Sequence, residues 1–387
     1  MPFVTAFDVD RLLTVAREET GLADFGDPTF REGLEALADS LNAEADLTDV
    51  GRFAFAGMIG GYLRERLKIE DWYRRHPEID AQALGAPLFI TGLPRTGTTA
   101  LSNLLAEDPA ARSLRFWESQ RPTPPPETET YWSDPRIAEA DAMLEGMKAA
   151  APDLARMHDD TGSSPTENQD LLGQHFRTQH FEGQADLPGY VRWWTGCDMI
   201  PAYRHHARVL KLLQWRCPPT RWNLKSPPDI WHLDALASVY PDVRIVWTHR
   251  DPAKVLPSVC TLIAAIRGIF SEGVDRHALG RSQLALWTEG IRRALATRRS
   301  ATGLVFADVF MNDLVARPIE TAKALYERLG LTFSPNVETR MRAWLGANPQ
   351  HKHGALQYRL DEFGLSLGEV RDAFREYTDH FDIHLEG

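Results

Sequence analysis

Four residues have the type and spacing to grip an anion: Arg95, Lys225, Arg250 and Ser258. Arg95 lies inside "GLPRTGTT" (92–99), where Gly92 and Gly97 have the spacing of a phosphate loop. In such a loop, backbone N–H groups and a helix N-terminus cradle the anion. A loop that holds a nucleoside triphosphate places a lysine where this chain has Thr98, and uses the next hydroxyl on magnesium. Thr98 carries no charge, which weakens an ATPase or GTPase reading and leaves Arg95 as the loop's own cation. Taken alone, GxxxxG is equally the signature of an ordinary strand-to-helix turn.

Two later segments bear on that choice. In "RIVWTHRDPAKVLPSV" (244–259), Arg250 ends a strand pattern, Asp251 and Pro252 suit the N-cap and first position of a helix, and Ser258 follows eight positions after Arg250. An arginine and a serine so placed converge on a second phosphate, although a capped helix with a surface arginine reads the same way. Pro257 lies deep enough to predict a kink near Ser258. In "RWNLKSPPDIWHLDAL" (221–236), Lys225 and Ser226 stand where a strand stops before prolines. Carboxyl ends of strands form the ligand crevice of open parallel sheets, so Arg95, Lys225 and Arg250 are expected to face one site.

The elements that must position these residues form an α/β pattern. Residues 1–85 read as helices, as in "FREGLEALADSLNAEA" and "IGGYLRERLKIEDWYRRHPEI". They predict a helical N-terminal segment packed on the core, followed by an α/β domain over 86–387. Strands are expected at 87–92, 221–226, 243–250 and 303–310, separated by helices, which predicts a phosphate-loop-like open parallel sheet flanked by helices. The proline-rich "PTPPPETETYWSDP" (122–135) reads as an extended loop at a substrate entrance.

With 43% hydrophobic and 25% charged residues in 387, the composition is that of a soluble globular protein, and no apolar run is expected to span a bilayer. The N-terminus lacks the basic and apolar regions of a secretory signal, so the cytoplasm is the expected location. Three cysteines without CxxC spacing argue against a disulfide framework or a structural zinc site. A net charge of -11 disfavours nucleic acid as a partner but allows a local basic cleft for a small anion.

Together these segments resemble sulfotransferases that use 3′-phosphoadenosine 5′-phosphosulfate (PAPS), in particular a bacterial branch with the loop "GLPRTGTT". The resemblance extends to "FREGLEALADSLNAEA", to "WNLKSPPDIWHLDALASVYPDVRIVWTHRDPAKV" and to "NPQHKHGALQYRLDEFGLS", and so covers most of the chain. It implies that Arg95, Thr96, Gly97, Thr98 and Thr99 bind the 5′-phosphosulfate and that Arg250 and Ser258 bind the 3′-phosphate. It also implies that Lys352 and Gly354 of "HKHG" close over the nucleotide. ATP lacks a 3′-phosphate and would leave the second group of donors unpaired. Lys225, in "LKSP", matches the lysine that relatives use on the leaving oxygen, with Arg95 beside it. No metal is expected.

The resemblance also implies a base for an acceptor hydroxyl, and Glu118 lies about as far beyond the loop as the catalytic glutamate of some relatives. His158 and His175 are alternatives, because imidazole titrates near neutrality. Glu167, in "SSPTENQDLL", falls in a polar segment that faces the substrate in the family. Asp229 stands where many relatives have histidine and Met311 where they have tyrosine, which leaves the base and an adenine contact open. "GYVRWW" (189–194), with Trp117, Tyr131 and Trp132, either lines an aromatic pocket for a hydrophobic alcohol or phenol or packs the core. His205 and His206 read as an ordinary helix pair. The implied activity is sulfuryl transfer to a small-molecule hydroxyl. A nucleotide or sulfated-ligand binding protein without transfer is the second reading, and an ATP-dependent phosphotransferase the third.

Overall fold

The computed structural model describes residues 6–150, 160–349 and 358–386. Five parallel strands form one sheet: β1 (Leu88–Gly92), β2 (Ala111–Ser113), β3 (Arg221–Lys225), β4 (Arg244–His249) and β5 (Val305–Phe310). Their order is β2-β3-β1-β4-β5. β1 is therefore central, with β3 on one side and β4 on the other; Ile90 is level with Lys225 and with Val246. Four of these strands match the apolar runs in the sequence. β2 was not legible, because three residues with Arg112 in the middle show neither an apolar run nor an alternation.

Side chains of a strand alternate between faces, and the two faces here build two cores. Phe89, Leu224 and Ile245 join a large cluster with Leu13 of α1 (Val9–Thr20), Leu34 and Leu37 of α2 (Phe30–Ala43), and Leu63 and Leu67 of α3 (Asp49–Arg75). Leu88, Ile90, Val246 and Val309 point the other way, against Leu101 and Leu104 of α4 (Thr98–Leu105) and against the helix Pro318–Arg328. The N-terminal helices thus share a continuous apolar core with one face of the sheet.

Two expectations need correcting. The helix Pro252–Phe270 has the length and mean hydropathy, 1.6, of a bilayer-crossing segment, contrary to the reading that no run does. Half of it is buried within the protein, against α3 and the helices His180–Gln184 and Arg276–Ser300, and Arg267 near its end pairs with Glu182 and Asp186. Its apolar character is accounted for by this packing. Secondly, the segment 122–135 is not wholly extended: Thr128–Ser133 forms a 3-10 turn that buries Tyr131.

Candidate functional site

The loop after β1 is built on two close approaches. Gly92 has φ of 144°, and a Cβ there would lie 2.5 Å from the Thr248 carbonyl oxygen, so only glycine lets β1 lie this close to β4 before turning. Gly97, φ 89°, then caps α4 without a side chain. The first N–H groups of a helix have no intrahelical partner. Arg95 takes φ of 63°, a left-handed conformation costly for a side-chain-bearing residue.

That conformation joins three of the expected residues. Arg95 donates from Nε to Ser258 Oγ at 3.2 Å, and Arg250 donates from Nη1 to the Arg95 carbonyl at 3.3 Å. The Asp251 carboxylate caps the helix Pro252–Phe270 by accepting from the Ala253 N–H at 2.9 Å, as its position predicts, and the helix continues through Pro257. Thr96 is fully buried, with its hydroxyl bonded to the Leu93 carbonyl at 2.6 Å and to Thr248 Oγ1 at 2.5 Å. Its side chain therefore fixes the loop rather than facing a ligand. Thr98 is buried at the start of α4 and Thr99 is half-buried.

On the other side of β1, the Ser226 N–H bonds the Ile90 carbonyl at 3.0 Å, which brings the end of β3 level with the loop. Lys225 is almost fully buried and donates from Nζ to Glu167 Oε1 at 3.0 Å. The Lys225 carbonyl accepts the Asn168 N–H at 3.1 Å, so the Glu167–Asn168 pair is tied to the strand end twice. The loop thus has Arg250 on the β4 side and Lys225 with Glu167 on the β3 side.

Glu118 is not part of this arrangement. It is fully buried on α5 (Phe116–Gln120), where Oε1 accepts from Arg112 Nη2 and Oε2 accepts from the Arg115 N–H and the Tyr131 hydroxyl, both at 3.1 Å. Arg112 is further held by the carbonyls of Leu213 and Cys217. This is a structural ion pair at the β2 edge, with neither carboxylate oxygen open to an acceptor.

Of the two histidines considered as the base, His175 is held by other partners. His175 is buried beside Arg66 and Arg177, and burial followed by those two charges pushes its pKa well below the usual imidazole value. His205 and His206 are buried helix residues, bonded to Gln174 and to the Tyr240 hydroxyl. Among the described residues no group of His, Cys, Asp or Glu is arranged to hold a metal. His158, Lys352 and Gly354 lie outside the described residues. The aromatic residues do not form one pocket: Trp117 and Tyr131 make a small cluster with Ala140, Tyr190 and Trp194 belong to the main core, and Trp132 is exposed.

Asp229 is linked to Lys225 through Asn168, accepting from Tyr203 Oη and from Asn168 Nδ2, each at 2.9 Å, while the Asn168 N–H bonds the Lys225 carbonyl. Complete burial raises its pKa to about 7, and the two hydrogen bonds only partly oppose this. A carboxyl whose folded value exceeds its unfolded value binds more protons in the native state, so its contribution falls as pH rises from about 4 to about 7. Asp229→Asn should therefore gain about 2–3 kcal/mol relative to wild type between pH 5 and pH 8, read from urea midpoints at both pH values. Equal midpoint differences at the two pH values would show that Asp229 is ionised throughout.

A cavity of about 300 Å³ opens beside Arg250, walled by Phe310, Met311 and Asn312 at the end of β5 and by Phe381, Ile383 and Glu386 near the C-terminus. Met311 thus does line the crevice next to the loop. Glu386, whose Oε1 accepts from Arg250 Nε at 3.1 Å, had no sequence signal, because 136 positions separate the two residues. Tyr203 was equally hidden, a tyrosine in an amphipathic helix whose partner is set by the tertiary fold.

The model of the "Sulfotransferase family" matches residues 87–335. The structure superposes on sulfotransferase STF9 from Mycobacterium avium with a TM-score of 0.90 and 31% identity, covering 100% of this chain and 99% of that one. It superposes on sulfotransferase STF1 from Mycobacterium tuberculosis H37Rv with a TM-score of 0.85 and 32% identity, covering 95% and 98%. A curated relative, omega-hydroxy-beta-dihydromenaquinone-9 sulfotransferase Stf3 from Mycobacterium tuberculosis, is 24% identical over 304 residues, 74% of each chain. A parallel sheet with a glycine-cornered loop at its centre and a match over most of the chain lead to one conclusion: the chain belongs to the sulfotransferase family.

Proposed function

We propose that the protein moves a sulfuryl group from PAPS to a hydroxyl of a small-molecule acceptor by in-line displacement, releasing 3′,5′-ADP. The observation that carries this reading is the order of cations along the strand ends: Arg250 after β4, Arg95 in the loop after β1, and Lys225 at the end of β3. A nucleotide lying across these ends meets Arg250 and Ser258 with its 3′-phosphate and the loop with its 5′ group. Lys225 then stands where charge grows on the oxygen between phosphorus and sulfur.

In the reaction the acceptor oxygen bonds to sulfur as the bond from sulfur to that bridging oxygen breaks. The acceptor's proton passes to a carboxylate, and the negative charge stays on the 5′-phosphate of 3′,5′-ADP. Preorganised donors aimed at developing charge are the main lever in such transfers. We assign the base to Glu167 rather than Glu118, because Glu167 is partly exposed and touches Lys225. The route uses protein cations throughout and requires no metal ion.

In this reading the acceptor approaches from the β3 side, because Lys225 and Glu167 meet there. Stf3, by its name, sulfates a hydroxylated menaquinone derivative. A hydrophobic alcohol or phenol is therefore the class proposed here. Incubation with PAPS and a panel of alcohols, phenols and sugars, read by mass spectrometry, should give products heavier by one sulfuryl group together with 3′,5′-ADP. Binding of 3′,5′-ADP with no transfer to any acceptor would instead favour a nucleotide-binding protein on the same scaffold.

A further inference from the structure

The Arg250 guanidinium already holds an anion, and it comes from the protein's own C-terminal segment. Glu386 Oε1 accepts from Arg250 Nε at 3.1 Å, with both side chains about one quarter exposed. The contact is anchored on both flanks. The Glu386 N–H donates to Asp251 Oδ2 at 2.8 Å, next to Arg250 in sequence, while Ile383 is buried and the Phe381 ring packs 4.2 Å from His249. Glu386 and Arg250 also line the same cavity beside the loop.

A carboxylate and a phosphate present similar oxygen geometry to a guanidinium, and arginine pairs with both. A phosphate monoester carries about 1.5 to 2 negative charges near neutrality against one on a carboxylate, so it can replace the carboxylate, at the cost of breaking the internal pair. We propose that Glu386 is an internal ligand of Arg250, displaced by an incoming nucleotide 3′-phosphate, which lowers the affinity for 3′,5′-ADP. This rests on the reading that Arg250 takes the 3′-phosphate. A nucleotide with a free 3′-hydroxyl has no need to break the pair, so the effect is confined to ligands that carry the 3′-phosphate.

Calorimetric titration of the full chain with 3′,5′-ADP and with adenosine 5′-monophosphate tests this. Glu386→Gln should bind 3′,5′-ADP about two- to five-fold more tightly than wild type, the range of a partly exposed ion pair, and adenosine 5′-monophosphate unchanged. The backbone bond to Asp251 survives the substitution. Asp382→Asn, which removes the same charge from the same cavity wall, should leave both affinities near wild type. An equal gain in Asp382→Asn, or an equal gain for both nucleotides, would assign the effect to net charge and overturn the proposal. Unchanged 3′,5′-ADP affinity in Glu386→Gln, with wild type still preferring 3′,5′-ADP to the monophosphate, overturns it while leaving the nucleotide site standing. If wild type shows no such preference, the reading of Arg250 fails and the proposal fails with it.

Discussion

Lys225→Ala is expected to lower kcat with PAPS by roughly 10²–10³-fold while changing affinity for 3′,5′-ADP far less. The lysine is nearly buried at the end of β3, level with the residue that leads into the loop. In the proposed reaction its charge is needed chiefly when the bond to sulfur breaks, and an interaction made mainly in the transition state appears in kcat rather than in binding. Removing it leaves Glu167 without this partner, but that carboxylate is partly exposed and can hydrate, so the variant should stay folded. Single-turnover mass analysis with PAPS and a reactive acceptor measures the loss. Wild-type turnover in Lys225→Ala would remove the lysine from the mechanism.

Glu167→Gln is the second large effect. The amide keeps the shape and a hydrogen-bonding oxygen near Lys225 but cannot take a proton, so kcat should drop about 10²–10⁴-fold, the usual range for a general base. Glu118→Gln should behave in the opposite way. It breaks a fully buried pair with Arg112, which costs about 3–5 kcal/mol when one charge is left behind, yet the folded fraction should retain turnover. Comparing melting curves with rates on the same samples separates the two roles. Lost activity with unchanged melting in Glu118→Gln, beside normal activity in Glu167→Gln, would return the base to Glu118.

The geometry of the loop was legible because glycine spacing and strand ends are local features. "GLPRTGTT" announced a turn that only glycines allow, and the structure shows why at Gly92, where a Cβ would run into Thr248. Arg250 and Ser258 lie on one strand-to-helix unit, so their meeting with Arg95 followed once β1 and β4 were neighbours. What the sequence could not reveal was which carboxylate meets Lys225. Glu118 and Glu167 both lie in polar stretches beyond the loop, and only the fold closes Arg112 over one while bringing the other to the end of β3. Asp229 looked like a departure in an otherwise matching segment; its partners, Tyr203 and Asn168, come from elsewhere in the chain. Of the two readings open for the aromatic residues, core packing holds for Trp117, Tyr190 and Trp194, while Trp132 lies outside, and sequence alone could not choose because large aromatics suit both.

The central claim is that Arg250 and Ser258 select a nucleotide bearing a 3′-phosphate, whose 5′ end is received by the Arg95 loop and Lys225. Melting of the full chain with excess 3′,5′-ADP, adenosine 5′-monophosphate or ATP tests it most directly, because a ligand that binds only the folded state raises the melting temperature. The account predicts a clear rise with 3′,5′-ADP, abolished in Arg250→Ala, and little with the other two. A larger rise with ATP, or one with 3′,5′-ADP that survives Arg250→Ala undiminished, would contradict it.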